Sequence, residues 1–179
     1  MTTTLARRTG FYAGTFDPVT AGHFDVITRA ARLVDKLIIG VAENTRKNPL
    51  KHLADRLDCV EQVILPVVEQ TECDIRVVSF DCLLVDAVKQ HGASVMIRGL
   101  RALTDFDYEI QMTGVNRRLD SSIETVFLMA SERTQFISSS FTKEVARYGG
   151  DISHFVTPYT QERLLACLQA SKAKQAKDR

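Results

Sequence analysis

The sequence has almost no net charge. Lys and Arg number 23 against 22 Asp and Glu, a formal charge of +1 at pH 7. No global field therefore draws the chain to nucleic acid or to an anionic membrane, and any phosphate binding has to come from local clusters. Paired cysteines are also missing: Cys59, Cys73, Cys82 and Cys167 lie far apart, with no C-x-x-C and no His spacing of a zinc site. That argues against a disulfide scaffold and for reduced, partly buried thiols in a cytosolic protein. No apolar run approaches the ~20 residues of a membrane span. Residues 1–9 hold two arginines but no apolar stretch before a cleavage site, so they do not read as a signal peptide. The expectation is a cytoplasmic enzyme with neither a nucleic-acid nor a membrane partner.

What is present suits one folded domain. The chain has 179 residues, of which 45% are hydrophobic and 25% charged, enough to bury an ordinary core. Short apolar runs alternate with longer amphipathic stretches. Gly10–Ala13, Leu37–Ala42, Ile75–Phe80, Ser94–Ile97 and Glu124–Met129 read as strands covered on both faces. Helices are expected between them: one with Phe24, Ile27, Ala31 and Val34 on its apolar face and Thr20 as cap, and one over Leu53–Val68 that Pro66 should end or bend. Three more are Leu83–His91, one capped by Thr104 and Asp107 with Ile110 and Val115 inward, and one with Phe141, Val145 and Tyr148 on its apolar face. A sixth covers Gln161–Leu168. The fold class is α/β: a Rossmann-like, doubly wound, five-stranded parallel sheet with helices on both faces, forming a single domain over 1–179 with flexible ends at 1–9 and 171–179. Ligands of such sheets bind beyond the carboxyl ends of the strands, so the loops after strands one, two, four and five are the places to look.

The loop after strand one reads Gly14-Thr15-Phe16-Asp17-Pro18-Val19-Thr20-Ala21-Gly22-His23. Gly14 permits a sharp turn and a close phosphate. Thr15 offers a hydroxyl and an N–H. His23 sits in the first turn of a helix, where free N–H groups and the dipole favour an anion. An imidazole there can stabilise charge growing on a phosphoryl group. The string is neither G-x-G-x-x-G nor a Walker loop. Asp17, before Pro18, shapes the turn rather than binding metal, and no metal ligand set is expected.

Arg98-Gly99-Leu100-Arg101 follows strand four and reads either as a phosphate clamp or as a pair of surface arginines. Asp105 and Glu109, at i, i+4 spacing, either orient an arginine, accept a ribose hydroxyl, or are ordinary first-turn charge. Lys47, on the loop after strand two, can close over an anion. Ser138, Ser139 and Ser140 open the helix after strand five and offer a second phosphate site at its N-terminus.

In order along the chain, G-T-F-D-P-V-T-A-G-H, K-x-P, I-R-G-L-R, D-F-D-Y-E, V-F-L-M and F-I-S-S-S-x-x-K-E-V-A resemble the phosphopantetheine adenylyltransferases of the nucleotidylyltransferase superfamily. The resemblance implies transfer of the adenylyl group of ATP to 4′-phosphopantetheine, giving dephospho-coenzyme A and pyrophosphate. It also implies Mg²⁺ delivered with ATP, feedback inhibition by coenzyme A, and a homohexamer built as a dimer of trimers. It makes Thr15, Phe16, Gly99, Leu100, Arg101 and Glu109 ATP-binding positions, together with Thr134, Gln135, Phe136, Ile137, Ser138, Ser139 and Ser140. Thr15, Lys47, Leu84 and Arg98 become acceptor-binding positions. His23, also on ATP, becomes the transition-state stabiliser, with Lys47 and Arg101 as catalytic cations. The chain departs from the family pattern at Ala13, where proline is usual, and at Cys82. It departs again at Thr134–Gln135, where an aromatic residue followed by serine is common, which implies weaker adenine packing.

The acceptor phosphate is already an anion, so the reaction needs no side-chain nucleophile and no strong base. Its difficulty is to bring two polyanions together, which positioning and fixed positive groups supply. Two readings compete: a sister nucleotidylyltransferase using another phosphorylated acceptor, such as nicotinamide mononucleotide, and a non-catalytic nucleotide-binding module. A class I synthetase fragment would need a K-M-S-K-S string that is absent.

Overall fold

The structure, a computed structural model, describes residues 7–43, 49–101 and 103–177. Five parallel strands, β1 (Thr9–Gly14), β2 (Lys36–Ala42), β3 (Asp74–Phe80), β4 (Val95–Leu100) and β5 (Glu124–Met129), form one sheet in the order β3-β2-β1-β4-β5. Between and after them run α1 (Ala21–Ala30), α2 (Leu53–Gln70), α3 (Leu84–Gln90), α4 (Leu103–Leu119), α5 (Ser139–Arg147) and α6 (Pro158–Lys177). Side chains alternate between the faces with period two, and both faces are apolar. Tyr12, Leu37, Ile39, Val41 and Ile97 pack with α1 and α2. Phe11, Ala13, Ile38 and Met96 pack with α3 on the opposite face.

The strand order reverses between β1 and β4, and there the sheet opens. β1 stays in register with β2 as far as Gly14↔Val41, whereas its pairing with β4 ends at Tyr12↔Ile97. Beyond that point the two strands part, leaving a crevice at their carboxyl ends, where an α/β sheet binds ligands.

Five local expectations change. β4 does not stop at Ile97 but continues through Arg98, Gly99 and Leu100, because each of these pairs with β5. α2 passes Pro66 and runs on to Gln70; Pro66 and Gln62 are both exposed, so water can serve the carbonyl that the missing N–H would have bonded. In α4, Ile110 and Val115 are 47% and 52% exposed rather than inward. The half-buried stripe of α4 is instead Asp105, Glu109, Thr113 and Asn116, since Arg98 on β4 takes Glu109 as its partner. In α5, Phe141 and Tyr148 are exposed, while Thr142 and Ala146, one turn apart, are buried. Ala146 joins Ile152, Val156, Leu164 and Leu168 in a small satellite core with α6. α6 itself is longer than expected and carries residues 171–177 within the helix.

Gly40 marks how tightly the sheet centre is packed. A Cβ there would fall 2.4 Å and 2.5 Å from two ring carbons of Phe11, which is fully buried. Gly40→Ala is expected to cost about 1–3 kcal/mol through overpacking, read as a lower urea midpoint with an unchanged slope.

Candidate active site

The crevice is a cavity of about 620 Å³ lined from three loops, those after β1, β4 and β5. The loop after β1 bends at Phe16, whose φ of 50° lies in the left-handed region that a bulky residue rarely occupies. The bend buries the Phe16 ring, which packs on Tyr12 at 5.7 Å and on the His23 imidazole at 5.0 Å between centroids. Gly14 is required beneath it, since a Cβ at that position would sit 3.0 Å from the Phe16 ring.

Thr20 caps α1, and His23 occupies the third helical position. The Thr20 backbone N–H donates to His23 Nδ1 at 2.9 Å. An amide N–H cannot accept, so Nδ1 is the acceptor and the proton of the neutral ring resides on Nε2. The same contact holds the ring plane from one edge while Phe16 supports its face.

Asp17 is buried and fully engaged. Its Oδ1 accepts the Lys51 N–H at 3.1 Å, and its Oδ2 accepts the Leu50 N–H at 2.8 Å and Lys143 Nζ at 2.6 Å. Arg56, also buried, donates from Nη1 to the carbonyls of Thr15 and Ala42, both at 2.8 Å. It thereby ties the end of β2 to the loop after β1. Burial lowers the Arg56 pKa, with Asp17 and Glu43 pulling the other way.

On β4, Arg98 donates from Nε and Nη2 to the two carboxylate oxygens of Glu109 at 2.7 Å and 2.6 Å, and from Nη1 to the Ala13 carbonyl at 3.2 Å. Burial alone would lower its pKa; the bonds and charge of Glu109 outweigh that and raise it. Arg101 pairs with Asp105 through two bonds of 3.0 Å and 3.2 Å and is more exposed. Both acids of the i, i+4 pair thus orient arginines. Gly99, between the arginines, lies so close to Val26 that a Cβ would stand 3.1 Å from a Val26 methyl. Tyr12 lies below, its phenol pushed well up by burial, with Arg98 and Arg101 pulling it down.

The three serines divide their work. The Ser138 side chain is the N-cap of α5, accepting from the Phe141 N–H at 3.1 Å. The Ser139 hydroxyl donates to the Pro18 carbonyl at 2.8 Å, fastening α5 to the loop after β1. Ser140 is exposed on the cavity wall. Lys143, one turn after Ser139 on α5, adds a further cation to the lining.

Of the residues singled out from the sequence, Thr15, Phe16, His23, Arg98, Gly99, Arg101, Ile137, Ser138, Ser139 and Ser140 line this one cavity. Glu109 stands behind Arg98, and Leu100 is buried in the sheet. Thr134, Gln135 and Phe136 form the turn before α5 without lining the cavity; Thr134 is buried against Ser131, and Phe136 is 80% exposed. Leu84, at the start of α3, packs on the core of the other sheet face. Lys47 lies outside the described residues. Sequence reasoning missed Tyr12, Arg56 and Lys143. Only Lys143 had a local signal, four residues after Ser139 on one helix face.

A cytidylyltransferase-like family model matches residues 11–145. The chain is 57% identical over 156 residues to a phosphopantetheine adenylyltransferase of Acidiphilium cryptum, covering 87% of this chain and 92% of that protein. It is 54% identical over 158 residues to one of Rhodospirillum rubrum, covering 88% and 91%. Among solved structures, the nicotinic acid mononucleotide adenylyltransferase of Plasmodium falciparum superposes with a TM-score of 0.64 at 14% identity, covering 89% of this chain and 95% of that one. That last likeness is one of fold.

Proposed function

The chain belongs to the phosphopantetheine adenylyltransferase family, and on that premise we propose how its cavity performs the family's reaction. The enzyme transfers the adenylyl group of ATP to 4′-phosphopantetheine, releasing pyrophosphate and forming dephospho-coenzyme A. The acceptor phosphate attacks the α-phosphorus in line, and the protein supplies positioning and fixed positive charge.

The observation that carries this reading is the His23 contact: the Thr20 amide donates to Nδ1, so the proton of the neutral ring is on Nε2, which makes that nitrogen the donor atom. That donor meets the oxygen on which charge grows in the transition state. Arg101, Lys143 and the N-termini of α1 and α5 draw the triphosphate in. Arg98, held by Glu109, receives the acceptor phosphate, with Lys47 as a further cation for it. Magnesium enters as part of the Mg-ATP substrate. The acid in the cavity lining, Asp17, is committed to Lys143 and two amides, and no cluster able to hold a metal occurs among the described residues. Coenzyme A, which shares the pantetheine arm of the product, competes for the same cleft.

The exposed apolar side chains of α4, Tyr108, Ile110, Val115 and Leu119, offer a face for self-association; the assembly we infer for this enzyme is a hexamer, a dimer of trimers. No helix among the described residues is long and apolar enough to cross a membrane. The cytoplasmic location we infer rests instead on the four cysteines, which form no disulfide among the described residues.

Purified protein mixed with Mg-ATP and 4′-phosphopantetheine is expected to form dephospho-coenzyme A. Product from nicotinamide mononucleotide instead, or ATP binding with no turnover on any acceptor, would overturn the reading. Arg98→Ala is expected to raise the KM for 4′-phosphopantetheine by about 10-fold or more, the loss of a charge-assisted bond, with a smaller change for ATP. Steady-state kinetics with each substrate varied in turn provides the check.

A further inference from the structure

Behind the loop after β1, an amine and a thiol meet out of water. Lys51 is 3% exposed and Cys59 fully buried, and Lys51 Nζ lies 2.9 Å from Cys59 Sγ. Lys51 stands just before α2, and Cys59 lies on the buried face of that helix with Val60 and Val63. The backbone of Lys51 is fixed as well, its N–H donating to Asp17 Oδ1 at 3.1 Å. A buried lysine ordinarily faces a carboxylate. Among the described residues this one meets sulfur, a weak acceptor. Neither group takes part in the adenylyl transfer, and neither borders the cavity. The gap between the two atoms is one that a single bridging atom can span.

We propose that Lys51 and Cys59 form a reversible nitrogen–oxygen–sulfur cross-link, with dioxygen as the oxidant. In the balanced step the primary amine, the thiol and one dioxygen give a linked N–O–S unit and one water. An N–O and an O–S bond form, and the O–O, S–H and one N–H bond break. Nitrogen and sulfur each give up two electrons, which reduce both oxygens; one enters the bridge, and the other leaves as water with the two released hydrogens. Two equivalents of a dithiol reductant, each oxidised to its disulfide, supply the four electrons and four hydrogens that return amine, thiol and a second water. Dioxygen is small enough to reach the site through local opening, which bulkier thiol reagents need to a greater extent. The link alters the side chain of a residue whose N–H holds one oxygen of Asp17, whose other oxygen holds Lys143 of the cavity. It also locks the segment entering α2 onto that helix.

The test uses the full chain, held in air-saturated buffer without reductant, digested with trypsin and mapped by mass spectrometry. The expected result is a peptide containing Lys51 joined to one containing Cys59, heavier than their sum by one oxygen less two hydrogens. Cleavage after Lys51 should be blocked. The bridge should carry heavy oxygen when the incubation is under labelled dioxygen, and it should vanish on treatment with dithiothreitol. In Lys51→Arg, which keeps the positive charge, the linked species should be absent. Unlinked peptides, a Cys59–Cys167 disulfide, Cys59 sulfinic acid beside a free Lys51 amine, or a link without the labelled oxygen would each overturn the proposal. The wild-type map does not depend on any variant folding.

Discussion

Replacing His23 with alanine is expected to lower kcat by ~10²–10³ while changing the KM for ATP only a few-fold, because the lost donor acts on charge that appears in the transition state. The prediction follows from the geometry of a single side chain. Nδ1 is tied to the Thr20 amide at 2.9 Å, and the Phe16 ring supports the imidazole at 5.0 Å. The ring is therefore oriented before any substrate arrives, and an oriented donor adds no reorganisation cost at the moment of reaction. In the proposed complex the ground-state triphosphate retains Arg101, Lys143 and two helix N-termini, so its binding is expected to depend little on the imidazole. Initial rates of dephospho-coenzyme A formation, measured over a range of ATP concentrations, decide the matter. A mutant with full turnover and a raised KM would assign His23 to binding alone.

The largest stability effect is expected at Asp17. Asp17→Ala strips the partner from Lys143 and leaves the Leu50 and Lys51 amides without an acceptor. Asp17 is 2% exposed and the Lys143 side chain 22%, so the remaining cation and amides stay largely out of water. Breaking a buried pair in this way costs about 3 kcal/mol, which for a chain of this size lowers Tm by about 6–12 °C. Thermal unfolding followed by circular dichroism measures it. Lys143→Met, which removes the charge but retains most of the packing, should cost less. If Asp17→Ala unfolds within a degree of the parent, the carboxylate is not the clasp that its bonds describe.

The strands were legible because each is a short apolar run that has to be covered on both faces, and that property is written locally. The loop after β1 was equally legible, since Gly14, Pro18, Gly22 and His23 act over a stretch of ten residues. Elsewhere a locally sound pattern misled. Ile110 and Val115 have the look of an inward face, yet α4 turns Glu109 toward the sheet because Arg98 on β4 is otherwise a half-buried guanidinium without a carboxylate. Phe141 and Tyr148 lost the inward face of α5 to the smaller Thr142 and Ala146, which let α6 approach closely.

The amino-acid sequence by itself determined the α/β architecture, the family, and the two loops that carry His23 and the Arg98–Arg101 pair. Each of these is encoded in neighbouring residues, whose spacing sets backbone direction and capping. Only the tertiary structure decided that β1 and β4 part beyond Tyr12 to make the crevice, that Arg98 faces Glu109, and that Lys143 meets Asp17 from 126 positions away. Those pairings follow from strand order and from the requirement that a charge removed from water find its opposite, and neither condition is local to any stretch of chain.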